Sequence, residues 1–189
     1  RDATWPDEGT MKRGTIVCSV CGQPPSDDYL REQGRANRFG LSLMNVMYDR
    51  PDQDGKGYRA PVNWDVDRYS EAEKLLSEKL NHDSTLLPDE PLPPYGTLGF
   101  RVNNYGLIRW GQLFNSRQAL SLITFLEKSK DAFNLILREH DEEYAKVIAT
   151  YLALMVDRLA DFNSTLCVLN NVGGRGVVHT FGRQALPMV

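Results

Sequence analysis

Two consecutive helical patterns occupy residues 115–159, with the sequence NSRQALSLITFLEKSKDAFNLILREHDEEYAKVIATYLALMVDRL. Asn115 or Ser116 caps the first helix, whose apolar residues recur at intervals of three and four until about His140. The second helix opens on three acids, which the positive end of a helix dipole favours, and its pattern continues toward Leu169. These residues predict a mainly α fold.

Two more helices and a few short strands are expected outside this stretch. Ser26 is a predicted N-cap for a helix that extends to about Tyr48, and Trp64 opens a helix that ends near Leu80. Short strands are predicted at residues 14–18, 57–60 and 177–180. The chain is thus divided into a partial zinc-ribbon or β-turn segment, 1–25, and a mostly helical domain, 26–189, with a proline-rich crossover at 82–99.

Composition excludes several classes of protein. The 189 residues are 41% hydrophobic and 25% charged, which is ordinary for a globular chain, and no apolar run approaches the ~20 residues of a membrane span. The polar first residues predict no signal peptide, and an odd number of cysteines, three, argues against a disulfide framework. We therefore expect a reduced, cytoplasmic protein that spans no membrane.

Charge is unevenly distributed along the sequence. The net charge is −3, which excludes a polybasic nucleic-acid binder. Residues 65–100 carry eight acidic and three basic side chains, whereas residues 101–140 carry six basic and three acidic ones. A local basic surface and a mixed, solvated surface are both compatible with this distribution.

Cys18-Ser19-Val20-Cys21-Gly22 is the strongest chemical motif. Two cysteines two residues apart point both sulfurs at one metal, and the glycine lets the backbone turn beneath them. A structural zinc needs four ligands, so this would be half of a knuckle completed by residues outside the chain. A fortuitous pair and a redox dithiol are the alternatives. The remaining cysteine, Cys167, falls in a predicted helix and is most simply a small buried residue.

Two other motifs are weaker. Leu92-Pro93-Pro94-Tyr95 resembles the Asp/Asn/Ser-Pro-Pro-aromatic motif of adenine methyltransferases, but Leu92 offers no side-chain oxygen to the adenine amino group. Gly173-Gly174-Arg175-Gly176 lacks the strand-loop-helix pattern and the Lys-Ser/Thr ending of a phosphate loop, which favours a flexible turn. The sequence therefore predicts no catalytic residue and no cofactor-binding residue.

Basic residues are the candidates for contact with DNA phosphates. Arg31, Arg35 and Arg38 are spaced four and three apart and would share one face of the predicted helix, although a solvated face is the plainer interpretation. The full set of candidates is Lys12, Arg13, Arg31, Arg35, Arg38, Arg101, Arg109 and Arg117.

Several stretches together resemble a family of adenine-specific DNA methylases that contain a zinc ribbon. The resemblance covers nearly all of the chain from about Gly9, and its most specific parts lie at 105–120 and 179–188. The matching stretches are GTIVCSVCG at 14–22, GR at 34–35, GKGYR at 55–59, PDEPL at 88–92, YGLIRWGQLF at 105–114, RQAL at 117–120, DRLAD at 157–161, NST at 163–165 and HTFGRQALPM at 179–188.

The resemblance implies transfer of a methyl group from S-adenosylmethionine to N6 of adenine by a larger parent protein. The parent's cofactor-binding and catalytic motifs would lie before and after the matched region, so this chain would be an internal segment that binds no S-adenosylmethionine. Cys18 and Cys21 would be two of four zinc ligands, with the first half of the ribbon upstream.

We therefore expect a non-catalytic segment that helps to hold DNA or position the target adenine. Its partners would be the rest of the parent polypeptide and DNA. The alternative is a helical scaffold or protein-interaction module without DNA contact, which explains the negative charge better. The sequence does not specify an oligomeric state.

Overall fold

A computed structural model describes residues 11–12, 15–18, 20–97, 101–170 and 176–180. Four helices dominate these residues, and the prediction of a mainly α fold is confirmed. No helix among them is long and apolar enough to cross a membrane. The helices are α1, Asp27–Arg35; α2, Asn63–His82; α3, Ser116–Ile136; and α4, Glu142–Phe162. The strands form antiparallel pairs: β1, Met11–Lys12, with β2, Thr15–Ile16; β3, Val46–Asp49, with β4, Lys56–Arg59; and β5, Val168–Asn170, with β6, Gly176–Val178.

Helix α1 begins as predicted but ends about a dozen residues earlier than expected. The Ser26 hydroxyl accepts a hydrogen bond from the Tyr29 amide, which confirms the N-cap. Asn37 then adopts a left-handed conformation with φ of 53°. The Asn37 and Arg38 amides bond back to the carbonyls of Gly34 and Gln33, a geometry that closes a helix. The prediction of one helix to Tyr48 is therefore wrong.

The apolar residues beyond α1 form a strand instead. Strand β3 pairs with β4, with Met47 opposite Tyr58 and Tyr48 opposite Gly57. A Cβ added to Gly57 would collide with the Tyr48 ring, so the ring covers the glycine across the hairpin. Strand β4 overlaps the predicted strand at 57–60. Its partner β3 lies in a region for which the sequence predicts the end of a helix.

Helices α2, α3 and α4 pack in sequence order, each against the next. Leu76 of α2 and Ala119 and Ile123 of α3 are the buried centre of the first apolar cluster. Leu80, Leu86, Leu87 and Phe114 pack around that centre. The amphipathic patterns of these helices predicted this packing. Helix α3 ends in turns at residues 137–139, close to the expected boundary.

The proline-rich crossover contributes Leu92 to the second apolar cluster. The buried residues of that cluster are Leu92, Val102, Leu113 and Leu166. The Leu92 amide donates to the Ile108 carbonyl at 2.8 Å, and the Gly111 amide donates to the Pro88 carbonyl at 2.9 Å. The segment around Pro91 therefore lies alongside residues 108–111 much as a strand would, joined by a bridge between Pro91 and Arg109.

Helix α4 ends at Phe162 rather than continuing to Leu169. Beyond it, Ser164 and Leu166 are buried, and the Thr165 amide donates to the Leu113 carbonyl at 2.8 Å. Thr180, which follows β6, returns to the helix end, where its hydroxyl lies 2.6 Å from the Asp161 carbonyl and 2.9 Å from the Ser164 hydroxyl. These tertiary hydrogen bonds favour the turn over further helix, and the extension to Leu169 is wrong.

Candidate metal half-site and basic surface

The predicted metal half-site lies in a tight backbone turn at Cys18. The Gly22 amide donates to the Cys18 carbonyl at 2.9 Å, and the Cys18 amide donates to the Gln23 carbonyl at 3.1 Å. Gly22 has φ of 72°, a left-handed conformation that side chains disfavour. The backbone therefore turns tightly between Cys18 and Gln23, and a metal knuckle at this turn stays a prediction.

The backbone also stabilises the thiolate form of Cys18. Hydrogen bonds from the Cys21 and Val20 amides lower the pKa of the Cys18 thiol, and a hydrogen bond with the Cys21 thiol lowers it further. A thiolate is the form that binds metal. Cys21 is exposed and Cys18 half-buried, and neither is in a disulfide. Both thiols are therefore free to react or to bind a ligand.

The described residues contribute no further ligand to this site. Across the described ranges, no group of three or more His, Cys, Asp or Glu side chains could hold a metal ion. Cys167 lies in the turn after α4 rather than in a helix, where its sulfur is 3.4 Å from the Ser164 amide. It is half-buried and its sulfur is hydrogen-bonded, so its packing is that of a polar turn residue.

Three of the eight predicted DNA-contacting bases form ion pairs within the chain. Arg31 pairs with Asp28 at 3.2 Å and with Asp27 at 3.6 Å. Arg38 pairs with Glu32 at 3.7 Å. Arg109 pairs with Asp89 at 2.8 Å and donates to the Asp89 carbonyl as well. Because α1 ends at Arg35, Arg38 lies outside the helix, and the shared helical face predicted for Arg31, Arg35 and Arg38 does not form.

Three predicted bases remain exposed and form no ion pair with any side chain in the described part of the chain: Arg35, Arg101 and Arg117. Arg35 ends α1, and Arg101 precedes the 3-10 turn Val102–Tyr105, against which α1 packs. Arg117 lies in the first turn of α3. The Lys12 side chain and all of Arg13 lie outside the described residues.

The structure describes the proline motif at 92–95 fully and the glycine-rich motif at 173–176 only in part. Leu92 is 5% exposed in the second apolar cluster, so the segment Leu92-Pro93-Pro94-Tyr95 begins with a core residue. Residues 173–175 of the glycine-rich stretch lie outside the described residues, and Gly176 begins β6 with φ of 81°.

Sequence reasoning missed the surroundings of Arg117. Tyr69 of α2, Arg117 and Ser121 of α3, and Asn163 at the end of α4 line one small cavity. These residues are separated by up to 94 positions in the sequence, and no local pattern links them. The only signal available was the capping residue Asn115, which lines the same cavity.

Comparison of the chain with protein-family models, with curated proteins and with solved structures gave no match.

Proposed function

We propose that this chain is a non-catalytic helical segment of an S-adenosylmethionine-dependent, adenine-specific DNA methylase, and that it holds duplex DNA near the target base. The family resemblance described above supports the assignment to a methylase. The observation that carries the DNA-holding role is the junction of α1 with the turn Val102–Tyr105. It brings onto adjoining segments two arginines that form no ion pair with the described residues, Arg35 and Arg101.

The backbones of α1 and of the turn Val102–Tyr105 are in close contact at this junction, which fixes the position of one relative to the other. A Cβ placed on Gly106 would lie 3.1 Å from the Cα atom of Arg35. Arg101 directly precedes the turn that forms the other side of the junction. Since both arginines are exposed and form no ion pair with the described residues, their charges are available to an external anion.

DNA phosphates are a suitable anion. Each phosphate that a protein neutralises releases condensed counterions, which gives affinity even to a chain whose net charge is −3. Contacts of this kind position a protein on the duplex without selecting a sequence. Base selection and methyl transfer would then be carried out by other parts of the parent protein.

A salt-dependent titration tests this role. Labelled duplex DNA is titrated with the chain and with the double variant Arg35→Glu/Arg101→Glu at several salt concentrations. The variant should bind more weakly, with the slope of log affinity against log salt reduced by about 2, or about one for each lost phosphate contact.

The matched control reverses two exposed charges elsewhere, with Lys74→Glu and Lys128→Glu. It changes net charge by the same amount but lies on the outer faces of α2 and α3, so the slope should not change. Equal slopes for the double variant and the unmodified chain would disprove the proposed contact.

In the same framework, Cys18 and Cys21 would supply two thiolate ligands to a structural zinc whose other ligands come from the parent polypeptide. The support is the turn geometry and the lowered pKa of the Cys18 thiol. Zinc would then connect this segment to the rest of the ribbon rather than take part in chemistry.

A specific observation favours the second candidate function, a protein-interaction module. Helix α4 buries one apolar face containing Ala145, yet it exposes a second apolar stripe: Tyr144, Val147, Tyr151 and Leu154. The spacing of three, four and three matches a seam that a partner helix could cover. Absence of DNA binding at ~10 mM salt, where the Debye length is about 30 Å, would favour this module over the DNA-holding role.

A further inference from the structure

A cavity of about 250 Å³ lies where three helices and a loop meet. Leu43 closes one side from the segment between α1 and β3. The other lining residues are all polar: Tyr69, Asn115, Arg117, Gln118, Ser121 and Asn163. The cavity is smaller than a pocket for a drug-sized ligand, so its polar lining fits a small group.

The capping of α3 engages the side-chain oxygens of two residues that line this cavity, Asn115 and Gln118. The Asn115 side-chain oxygen accepts from the Gln118 amide at 3.1 Å, and the Gln118 side-chain oxygen accepts from the Asn115 amide at 2.9 Å. Each side-chain oxygen is therefore occupied, and the NH₂ group is the unengaged end of each amide. Because both residues line the cavity, their NH₂ groups can serve as donors to a ligand there.

Two further groups add donors. The Arg117 guanidinium is exposed and forms no ion pair with the described residues, and a guanidinium donates up to five hydrogen bonds. The Tyr69 hydroxyl is buried, but no described group forms a hydrogen bond of ordinary geometry with it. The side chain and the backbone amide of Ser116 lie close enough to interact with the Tyr69 hydroxyl. The Ser121 hydroxyl already donates a hydrogen bond to the Arg117 carbonyl at 2.9 Å, so it has no free proton to donate to a ligand.

No carboxylate lines the cavity. Asp65 and Glu73 are the acids that act on its lining residues from α2. Arg59 holds the Asp65 carboxylate with two hydrogen bonds of 2.6 and 2.8 Å, so that charge is already neutralised within the chain. Glu73 is exposed to solvent, where its field is screened. The lining therefore favours an acceptor-rich, negatively charged group.

We infer that this cavity binds a phosphate group through Arg117, Tyr69 and the amide groups of Asn115, Gln118 and Asn163. A phosphate offers only acceptor oxygens at several angles, and arginine pairs with it in a bidentate geometry. The inference deepens the proposed function, since a DNA phosphodiester is one source of this group. A free phosphate or phosphate monoester is the other source.

The binding test uses inorganic phosphate and a uniformly ¹⁵N-labelled chain, with total ionic strength held constant by sodium chloride. Amide signals of residues 115–118 should shift and saturate as phosphate is added. Arg117→Gln should weaken binding about tenfold or more, as expected for loss of charge-assisted hydrogen bonds. Tyr69→Phe removes a buried hydroxyl beside Ser116, so affinity for phosphate should fall, and circular dichroism of the variant checks that the chain stays folded.

The control variant Arg138→Gln removes the same charge at an exposed position outside the cavity and should bind phosphate normally. Shifts that never saturate, or that are the same in Arg117→Gln and the unmodified chain, overturn the inference.

A DNA titration of Arg117→Gln separates this inference from the proposed function. Weaker DNA binding identifies the phosphodiester as the source. If the chain binds phosphate saturably but binds no DNA, the cavity is a site for free phosphate or a phosphate monoester, and the DNA-holding role is disproved. If DNA binding depends on Arg35 and Arg101 but the chain binds no phosphate, the DNA-holding role is supported and the inferred phosphate site is disproved.

Discussion

Gly106 and Gly34 lie backbone against backbone where α1 meets the turn Val102–Tyr105. A Cβ added to Gly106 would collide with the Gly34 carbonyl group, and a Cβ added to Gly34 would collide with the Tyr105 carbonyl group. Gly106 also has φ of 88°, which side chains rarely adopt. Neither glycine can therefore carry a side chain unless α1 moves away from the turn, and this contact fixes Arg35 relative to Arg101.

Gly106→Ala should consequently be among the most destabilising small substitutions in the chain. We expect a loss of about 3 kcal/mol in the free energy of unfolding, from the left-handed conformation and the backbone collision together. Urea denaturation followed by circular dichroism measures it.

Two other glycines separate these effects. Gly55 has φ of 98° with open space around it, so Gly55→Ala should cost about 1 kcal/mol from conformation alone. Gly40 has open space and a φ outside the left-handed region, so Gly40→Ala should be nearly neutral. Equal losses at Gly106 and Gly55 would show that the close contact with Gly34 contributes nothing.

The Asp65 carboxylate should make the free energy of unfolding depend on pH in the acidic range. It is 6% exposed, and hydrogen bonds from Arg59, then from the Val62 amide, lower its pKa to about 2 from an ordinary 3.8. Because the folded-state pKa is depressed, its contribution is complete above pH 3.8 and is lost as pH falls toward 2.

Asp65→Asn should therefore lower the urea midpoint at pH 7 and flatten the fall in stability between those two pH values. Asp67→Asn, at an exposed position on the same helix, provides the control and should leave the acid profile unchanged. Superimposable profiles for Asp65→Asn and the unmodified chain would contradict this assignment.

The Thr180 hydroxyl should stabilise the end of α4. It is buried against the Asp161 carbonyl and the Ser164 hydroxyl, so Thr180→Val would leave both without this partner. We expect a loss of about 1–3 kcal/mol in the free energy of unfolding. Thr124→Val makes the same change at an exposed helical position and should alter stability by less than about 0.5 kcal/mol. Similar values for the two variants would argue against the buried contact.

The Cys18 thiol should ionise at a lower pH in the folded chain than in the unfolded chain. Iodoacetamide alkylation of Cys18, followed by peptide mass spectrometry across pH, should show a lower midpoint without urea than with it, because the Cys21 and Val20 amides are aligned only in the fold. Zinc should also slow alkylation of Cys18 and Cys21 while leaving Cys167 as an internal control. Identical midpoints, with no protection by zinc, would exclude a preorganised half-site.

Local periodicity was sufficient to place α2, α3 and the start of α4, because a helix that buries one face must repeat its apolar residues every three or four positions. It failed between Gly40 and Asp49, where apolar residues are crowded without a clear period. Those residues belong to a hairpin whose second strand begins at Lys56, and pairing across that distance is not visible in either strand alone. Asn37, which closes α1 in a left-handed conformation, was the overlooked stop signal.

The sequence alone specified the fold class, the helix cap at Ser26 and the turn at Cys18, and it restricted the cap of α3 to Asn115 or Ser116, because each depends on residues within a few positions of one another. Tertiary structure was needed to show which arginines are paired, that Leu92 belongs to the core, and that Tyr69 and Asn163 share a cavity with Arg117. Burial and ion pairing depend on distances through space, and those exist only once the helices have packed.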